Sequence, residues 1–373
     1  MSQPVDVVTG VMGFSGSHVA KELLSRGRKV LGVDLPAAID DPERRATLQK
    51  TGLDLNHPLL ELIPADLLDR QSLAPVFDRE LRHVFHTASL YDYSARLSEL
   101  VRVNVGGIEN LLPLVIAAKP RRFIHWSTGG VFGKPYTAAH GHKVNLPFTE
   151  ESSSPKNAPV QADRPDGTHL VNAYSKSKWK QEQRVWQAHR EDGLPVTVVR
   201  PAPIYGPGSR YGHCGIILAI WRGQLPAIPL DAKNAITISV HVADVARFAC
   251  FVAEHEDAVG EDYNLVDNSV ISYHEFLHYI ALLTGRRMWD VPLLYLPVLR
   301  TVALATAHTW TWLERNLGVP RPRMLEVQSA PYIGSSYWIS NRKSLSTGFE
   351  YGYGDVREGL KDCIAWMRSA GWL

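Results

Sequence analysis

The sequence predicts an α/β protein built on a doubly wound parallel sheet, with a smaller, mixed lobe added by insertions toward the C-terminus. Two observations predict it. Short β-branched or apolar runs alternate with segments of helical periodicity, the pattern of a parallel sheet covered on both faces. Three glycines three residues apart, Gly10, Gly13 and Gly16, stand where the first apolar run gives way to the first helical pattern.

The strands read in order are 5–9, 29–34, 60–65, 83–88, 122–127, 196–200 and 262–266. Between them, Val105, Ile108, Leu112 and Val115 mark one apolar helical face, and 174–191 reads as a long polar helix. Three segments break the alternation: a Pro, Ser and His rich loop at 134–170, a Pro and Gly rich stretch at 202–239, and 268–337. Such segments extend from the carboxyl ends of the strands, where these sheets bind ligands. The expected domains are therefore 1–201 with 240–267 returning to it, a substrate lobe from 202–239 and 268–337, a C-terminal helix region at 338–373, and an active-site loop at 134–170.

The glycine loop, with Phe14 and Ser15 between Gly13 and Gly16, turns a strand sharply into a helix. It brings backbone close to a diphosphate, whose charge meets the helix N-terminus. Glycines also serve any tight turn, so the loop alone is weak. Asp34 strengthens it, because it closes the second strand about twenty residues on, where a carboxylate accepts both ribose hydroxyls of an adenosine. That favours NAD. A carboxylate repels the 2'-phosphate of NADP, and Leu35, Pro36 and Ala37 offer no cation to hold one; Arg44 and Arg45 lie farther on and keep NADP as the alternative.

The 40 basic and 38 acidic residues among 373 nearly cancel, which argues against nucleic acid as a partner. Cys214, Cys250 and Cys363 are scattered, with no C-x-x-C and no nearby histidine pair at zinc spacing, so no metal site is expected and a reducing, cytoplasmic setting is. The first strand begins within a few residues of Met1, which leaves no room for a signal peptide. No run reaches the roughly 20 uninterrupted apolar residues of a membrane span. The nearest, 291–312, is interrupted by two prolines, Arg300 and His308. It is read as a buried helix of the smaller lobe, with a peripheral membrane contact or a greasy pocket wall as the alternatives.

Tyr174 and Lys178 are four residues apart, so on a helix they project from one face. An ammonium there favours the phenolate and brings the tyrosine pKa down from about 10. Tyr174 becomes a usable base. Hydride transfer at a carbinol also needs a donor for the substrate oxygen, and the fifth strand ends in Ser127 and Thr128 facing the cleft. Thr128 is the first choice and Ser127 its understudy; capping of the turn is the structural reading for either hydroxyl.

In this order the pieces resemble the extended short-chain dehydrogenase/reductase family, whose fold is of Rossmann type. The resemblance rests on Thr9 to Gly16, Asp34, Asp66-Leu67, Thr87-Ala88-Ser89, Asn104-Val105-Gly106-Gly107, Ser127-Thr128 with Val131-Phe132-Gly133, Tyr174 with Lys178, Arg200-Pro201 with Tyr205-Gly206-Pro207, and 241–246. It implies Tyr174 as catalytic acid/base, Thr128 as the catalytic hydroxyl, and Lys178 as a further ligand of the nicotinamide ribose. Asp66, Leu67, Thr87, Ala88, Ser89, Asn104, Pro201 and Ile204 are implied around the cofactor, Asp66 at the adenine amino group. The stretch from Thr128 to Tyr174 is longer than is common in the family, so His140, His142 and Glu150 belong to an insertion and are expected to be solvated.

Members acting on nucleotide sugars usually carry asparagine three residues after the sixth-strand arginine; here that position is Pro203. The chain looks more like the 3β-hydroxysteroid dehydrogenase and sterol-4α-carboxylate 3-dehydrogenase branch, implying a small hydrophobic substrate. Tyr91, Tyr93, Ser127 and Arg210 are the residues expected toward it, Arg210 facing a carboxylate if a β-keto acid is formed and decarboxylated. A nucleotide-sugar epimerase or dehydratase is the alternative, and a non-catalytic redox sensor the minor one. The family's habit also implies a homodimer through helices 105–118 and 174–191.

Overall fold

The computed structural model describes residues 4–92, 95–133, 136–137, 147–152, 154–156, 170–292, 294–319 and 335–373. Seven strands form one sheet: β1 (Val5–Thr9), β2 (Val30–Asp34), β3 (Leu60–Pro64), β4 (Leu81–His86), β5 (Arg122–Trp126), β6 (Val196–Pro201) and β7 (Glu261–Leu265). Their order is β7-β6-β5-β4-β1-β2-β3, and every pairing is parallel. All seven predicted strands are present, with ends moved by up to two residues; 83–88 becomes Leu81–His86, so Thr87 to Ser89 lie in the turn beyond the strand. The order reverses between β1 and β4, and the crevice at such a switch point is where these sheets take a ligand.

Parallel strands buried on both faces require apolar runs, and β1, β5 and β6 are buried along their whole length. On one face the core is closed by α1 (Phe14–Ser25) and, later in the chain, a helix at Val242–Ala253, through Val19, Leu23, Val245, Phe248 and Val252. On the other face α2 (Gly106–Ala118) contributes Ile108, Leu111 and Val115, and α3 (Ala173–Asp192) contributes Val185 and Trp186. Each such side chain withdrawn from water contributes about 1.5–3 kcal/mol relative to exposure.

The helical segment before α2 is longer than its apolar spacing indicates. It runs from Leu97 and passes through a π-helical stretch, Val101–Val105, before α2. The whole of 97–118 is long and apolar enough by composition to cross a membrane, but Ile108, Leu111 and Val115 sit in the core beneath the sheet.

A third core builds the smaller lobe. Helix His213–Trp221 supplies Ile217 and Ile220, α4 (Tyr273–Thr284) Phe276 and Ile280, and α6 (Val356–Ser369) Leu360 and Met367. Cys214 and Cys363, 149 residues apart in sequence, meet here with sulfurs 3.7 Å apart. The segment read as a buried helix is instead largely exposed: α5 (Leu296–Leu317) buries only Leu296 and Ala307. The Leu296 amide donates to both carboxylate oxygens of Asp231 at 3.0 Å, which fixes the start of the helix on the lobe. Of the 134–170 loop, His140 and His142 lie outside the described residues. Glu150 is not solvated: it is buried, and its Oε1 accepts the Asn264 amide at 2.8 Å, satisfying the outer edge of β7.

Candidate active site

The glycine loop closes against itself and against the turn after β4. Gly10 has φ +74°, and a Cβ there would stand 2.8 Å from the Ala88 Cα; a Cβ on Gly16 would stand 2.1 Å from the Gly10 carbonyl oxygen and 2.7 Å from Thr87 Oγ1. Neither position admits a side chain. Thr87 Oγ1 donates to the Thr9 carbonyl at 2.8 Å, fastening the two strand ends together. Helix α1 starts at Gly13 with no side-chain cap, so its first turn, from Phe14 through Ser15 and Gly16, keeps its backbone donors for a ligand.

Asp34 closes the far side of the loop. Its Oδ2 accepts the Met12 amide at 2.8 Å and its Oδ1 the Leu35 amide at 2.9 Å, one bond on each oxygen. Burial raises its carboxyl above the ordinary value, and the two amides and Arg44 act against that rise. Arg45 is turned back to the Ile39 carbonyl, and Arg44 stands over Asp41. At the end of β3, Asp66 Oδ1 accepts the Leu68 amide at 2.9 Å, and the Leu67 carbonyl accepts from Asn110 of α2. Pro201 closes β6, and Ile204 lies three residues beyond it in a short parallel pair with Val240–His241.

Asn172 caps α3, its side chain accepting the Ser175 amide at 2.8 Å, and so places Tyr174 in the first turn. The next turn along the same face is Lys178, which is 1% exposed. Its Nζ donates to Ser89 Oγ at 2.9 Å, to the Trp126 carbonyl at 2.6 Å and to Gln181 Oε1. Burial brings the Lys178 pKa down to about 7, opposed by the charge of Glu182. Gln181 in turn donates to the Asn104 carbonyl at 3.0 Å, and Asn104 holds the Leu90 amide and carbonyl. His86 lies below, bonded to Thr9 Oγ1; burial lowers it to about 3, so it stays neutral beside Lys178.

The two candidate hydroxyls differ in what they do. Thr128 Oγ1 accepts the Gly130 amide at 3.2 Å, capping the turn Gly129–Phe132, which leaves its own O–H to donate. Ser127 Oγ donates to Glu182, whose carboxylate is held by Arg200, itself bonded to Asp262. Ser127 is therefore committed to a buried ion network and turned from the cleft. Tyr91 packs edge-on against Tyr174, centroids 5.0 Å apart, and against Tyr211 at 6.1 Å. Tyr211 carries no motif and was missed from sequence. Arg210 is turned elsewhere, paired with Glu43 at 3.1 Å and stacked over Trp372 at 4.3 Å. Tyr93 lies outside the described residues.

Fold and site together define an α/β enzyme with a dinucleotide cradle at the switch point and a Tyr-Lys pair beside it. Residues 7–265 match the model of the NAD dependent epimerase/dehydratase family, and the chain belongs to that family, within the extended short-chain dehydrogenase/reductase group. It is 24% identical to a 3 beta-hydroxysteroid dehydrogenase/Delta 5-->4-isomerase of Mycobacterium tuberculosis, covering 97% of this chain and 90% of that protein. It is 28% identical to a UDP-N-acetyl-alpha-D-glucosaminuronate decarboxylase of Bacillus cytotoxicus, over 74% of this chain and 79% of the other. Its fold is that of the dTDP-glucose 4,6-dehydratase of Bacillus anthracis solved with NAD, with a TM-score of 0.68, 19% identity and coverage of 98% and 97%.

Proposed function

We propose that this protein moves a hydride between NAD, in preference to NADP, and the secondary alcohol or ketone of a bulky apolar substrate, a 3β-hydroxysteroid or related sterol first among them. The observation that carries the substrate class is the aromatic wall of Tyr91 and Tyr211 beside Tyr174. A flat ring system lies against such faces with its hydroxyl toward the phenol. Pro203, exposed beyond β6, has no donor with which to grip a sugar phosphate. The match to the steroid enzyme spans nearly the whole chain, and that to the sugar decarboxylase does not.

The cradle fits the cofactor, because the closed sides of Gly10 and Gly16 leave backbone rather than side chains around the diphosphate path. Residues 13–16 would hold the diphosphate and Asp34 the adenosine ribose, and Asp34 is the reason to prefer NAD. When bound, the oxidised nicotinamide supplies the hydride acceptor. The rest is done by the chain. Tyr174 takes the hydroxyl proton, and Thr128 donates its O–H to the same oxygen while the Gly130 amide holds the threonine in place. Lys178 is held beneath the site by Ser89, Trp126 and Gln181, and in its ammonium form it favours the phenolate.

Purified protein with NAD and a panel of 3β-hydroxysterols is expected to show nicotinamide reduction, and Tyr174→Phe to lower turnover by about 10²–10⁴-fold with cofactor binding retained. Turnover of a uridine diphosphate sugar with none on the panel would replace this reading with the epimerase one. The exposed stripe of Val298, Val302 and Trp312 on α5 supports a lipid surface as the place where such a substrate is collected. Co-sedimentation with phospholipid vesicles is expected for the wild type and reduced for Val302→Asp/Trp312→Asp; equal pelleting of both would remove the membrane contact.

A further inference from the structure

We propose that His274, His278 and Asp290 form a site for one divalent transition metal ion, of the class that binds imidazole and carboxylate together, with Zn2+ the best match. The two histidines are four residues apart on α4 and so share a face. The helix start is rigid: Ser272 Oγ accepts the Glu275 amide at 3.1 Å, and the Glu275 carboxylate reaches back to the Ser272 amide at 2.9 Å. Asp290 comes from a different element, the strand Trp289–Val291, which is held in parallel register on Ala227–Pro229.

From these two supports, both Nε2 atoms converge on one carboxylate oxygen. His274 Nε2 is 2.8 Å and His278 Nε2 2.9 Å from Asp290 Oδ1. The rings lie with centroids 4.4 Å apart, and the donor atoms of all three residues fall within 4.8 Å of one another. Among the described residues this is the group of His, Cys, Asp or Glu that gathers so closely.

Without a metal, one oxygen must accept two ring N–H groups. With a metal, two neutral imidazole lone pairs and the carboxylate face a single point, and bonds of about 2.0–2.1 Å place neighbouring donors about 3.3 Å apart. Each nitrogen–oxygen pair, now 2.8 and 2.9 Å, need only open by about half an ångström to reach that spacing. Two nitrogens and one oxygen, with a position left open, make a donor set for Zn2+, Co2+ or Ni2+ rather than for Mg2+ or Ca2+. A surface groove of about 370 Å3, whose lining includes Ala281, Leu282, Arg286, Arg287 and Trp289, meets the cluster at His278. The ion would clip α4 to the strand that leads into α5, and its elements are separate from those carrying Tyr174 and Lys178.

The test uses the full chain without a histidine tag, freed of metal by chelation and titrated with Co2+ and then Zn2+. Equilibrium dialysis with metal counting and the visible Co2+ spectrum are the readouts. One saturable equivalent is expected, displaced by Zn2+, with affinity lowered tenfold or more in His278→Ala and in Asp290→Asn, and unchanged in the exposed control His308→Ala. Asp290→Asn keeps an oxygen that accepts the ring N–H groups, so it removes the charged ligand while leaving a purely hydrogen-bonded cluster intact. Circular dichroism of the metal-free variants checks that they remain folded. Absence of a saturable equivalent in the wild type, or an equivalent that survives both substitutions, overturns the site.

Discussion

Lys178 shows how one residue is held in position at the expense of stability. Its ammonium is closed in by Ser89, the Trp126 carbonyl and Gln181, and burial lowers its pKa to about 7 from the ordinary 10.5. The unfolded chain therefore binds more protons than the folded chain between those two values, so this residue's contribution to stability improves as pH rises from 7 toward 10. Below pH 7 its full burial cost is present. Two pH units within that window correspond to about 2–3 kcal/mol. Urea unfolding of wild type and Lys178→Met without cofactor is expected to show the difference between them moving in favour of the wild type by that amount from pH 7 to pH 9. A difference independent of pH would mean that Lys178 is charged, or neutral, throughout.

At the scale of the element, α3 presents its chemistry on the face turned to the sheet. Tyr174, Lys178, Glu182 and Trp186 follow at intervals of four, and all are buried. The first two read from sequence as a reactive pair; Glu182 did not, because its meaning depends on Arg200, which reaches it from β6 and is itself held by Asp262 of β7. Within the network, Trp186 Nε1 and Ser127 Oγ donate to the same carboxylate. Arg200→Met leaves Glu182 without its buried counter-charge and is expected to cost about 3–5 kcal/mol by urea unfolding. A loss under about 1 kcal/mol would show that water enters the network. The glycine loop was legible for the opposite reason: its tightest contact is local, and only glycine fits where Gly16 meets Gly10. Asn104 was legible only through its motif, since its bonds run to Leu90 and Ser177.

For the whole molecule, the outer faces of α2 and α3 frame a groove of about 640 Å3 that includes Arg102, Glu109, Arg184 and Gln187. We propose that a second copy packs there, helices against helices. Sedimentation equilibrium is expected to give twice the 41.6 kDa chain mass; a monomer at micromolar concentration would leave the groove without that partner. The seven strands, helices α2 and α3, the glycine turn between β1 and α1, and the placing of Tyr174 and Lys178 on one helix were determined by the sequence itself. Each is written in a spacing of a few residues, which backbone geometry converts directly into a face or a turn. Tertiary structure alone decided that Ser127 serves Glu182, that Arg210 turns to Glu43 and Trp372, that Glu150 seals the edge of β7, and that α5 stands exposed. Their partners lie on elements far away in the chain, and a side chain's role there is set by which neighbour satisfies its charge or covers its apolar surface.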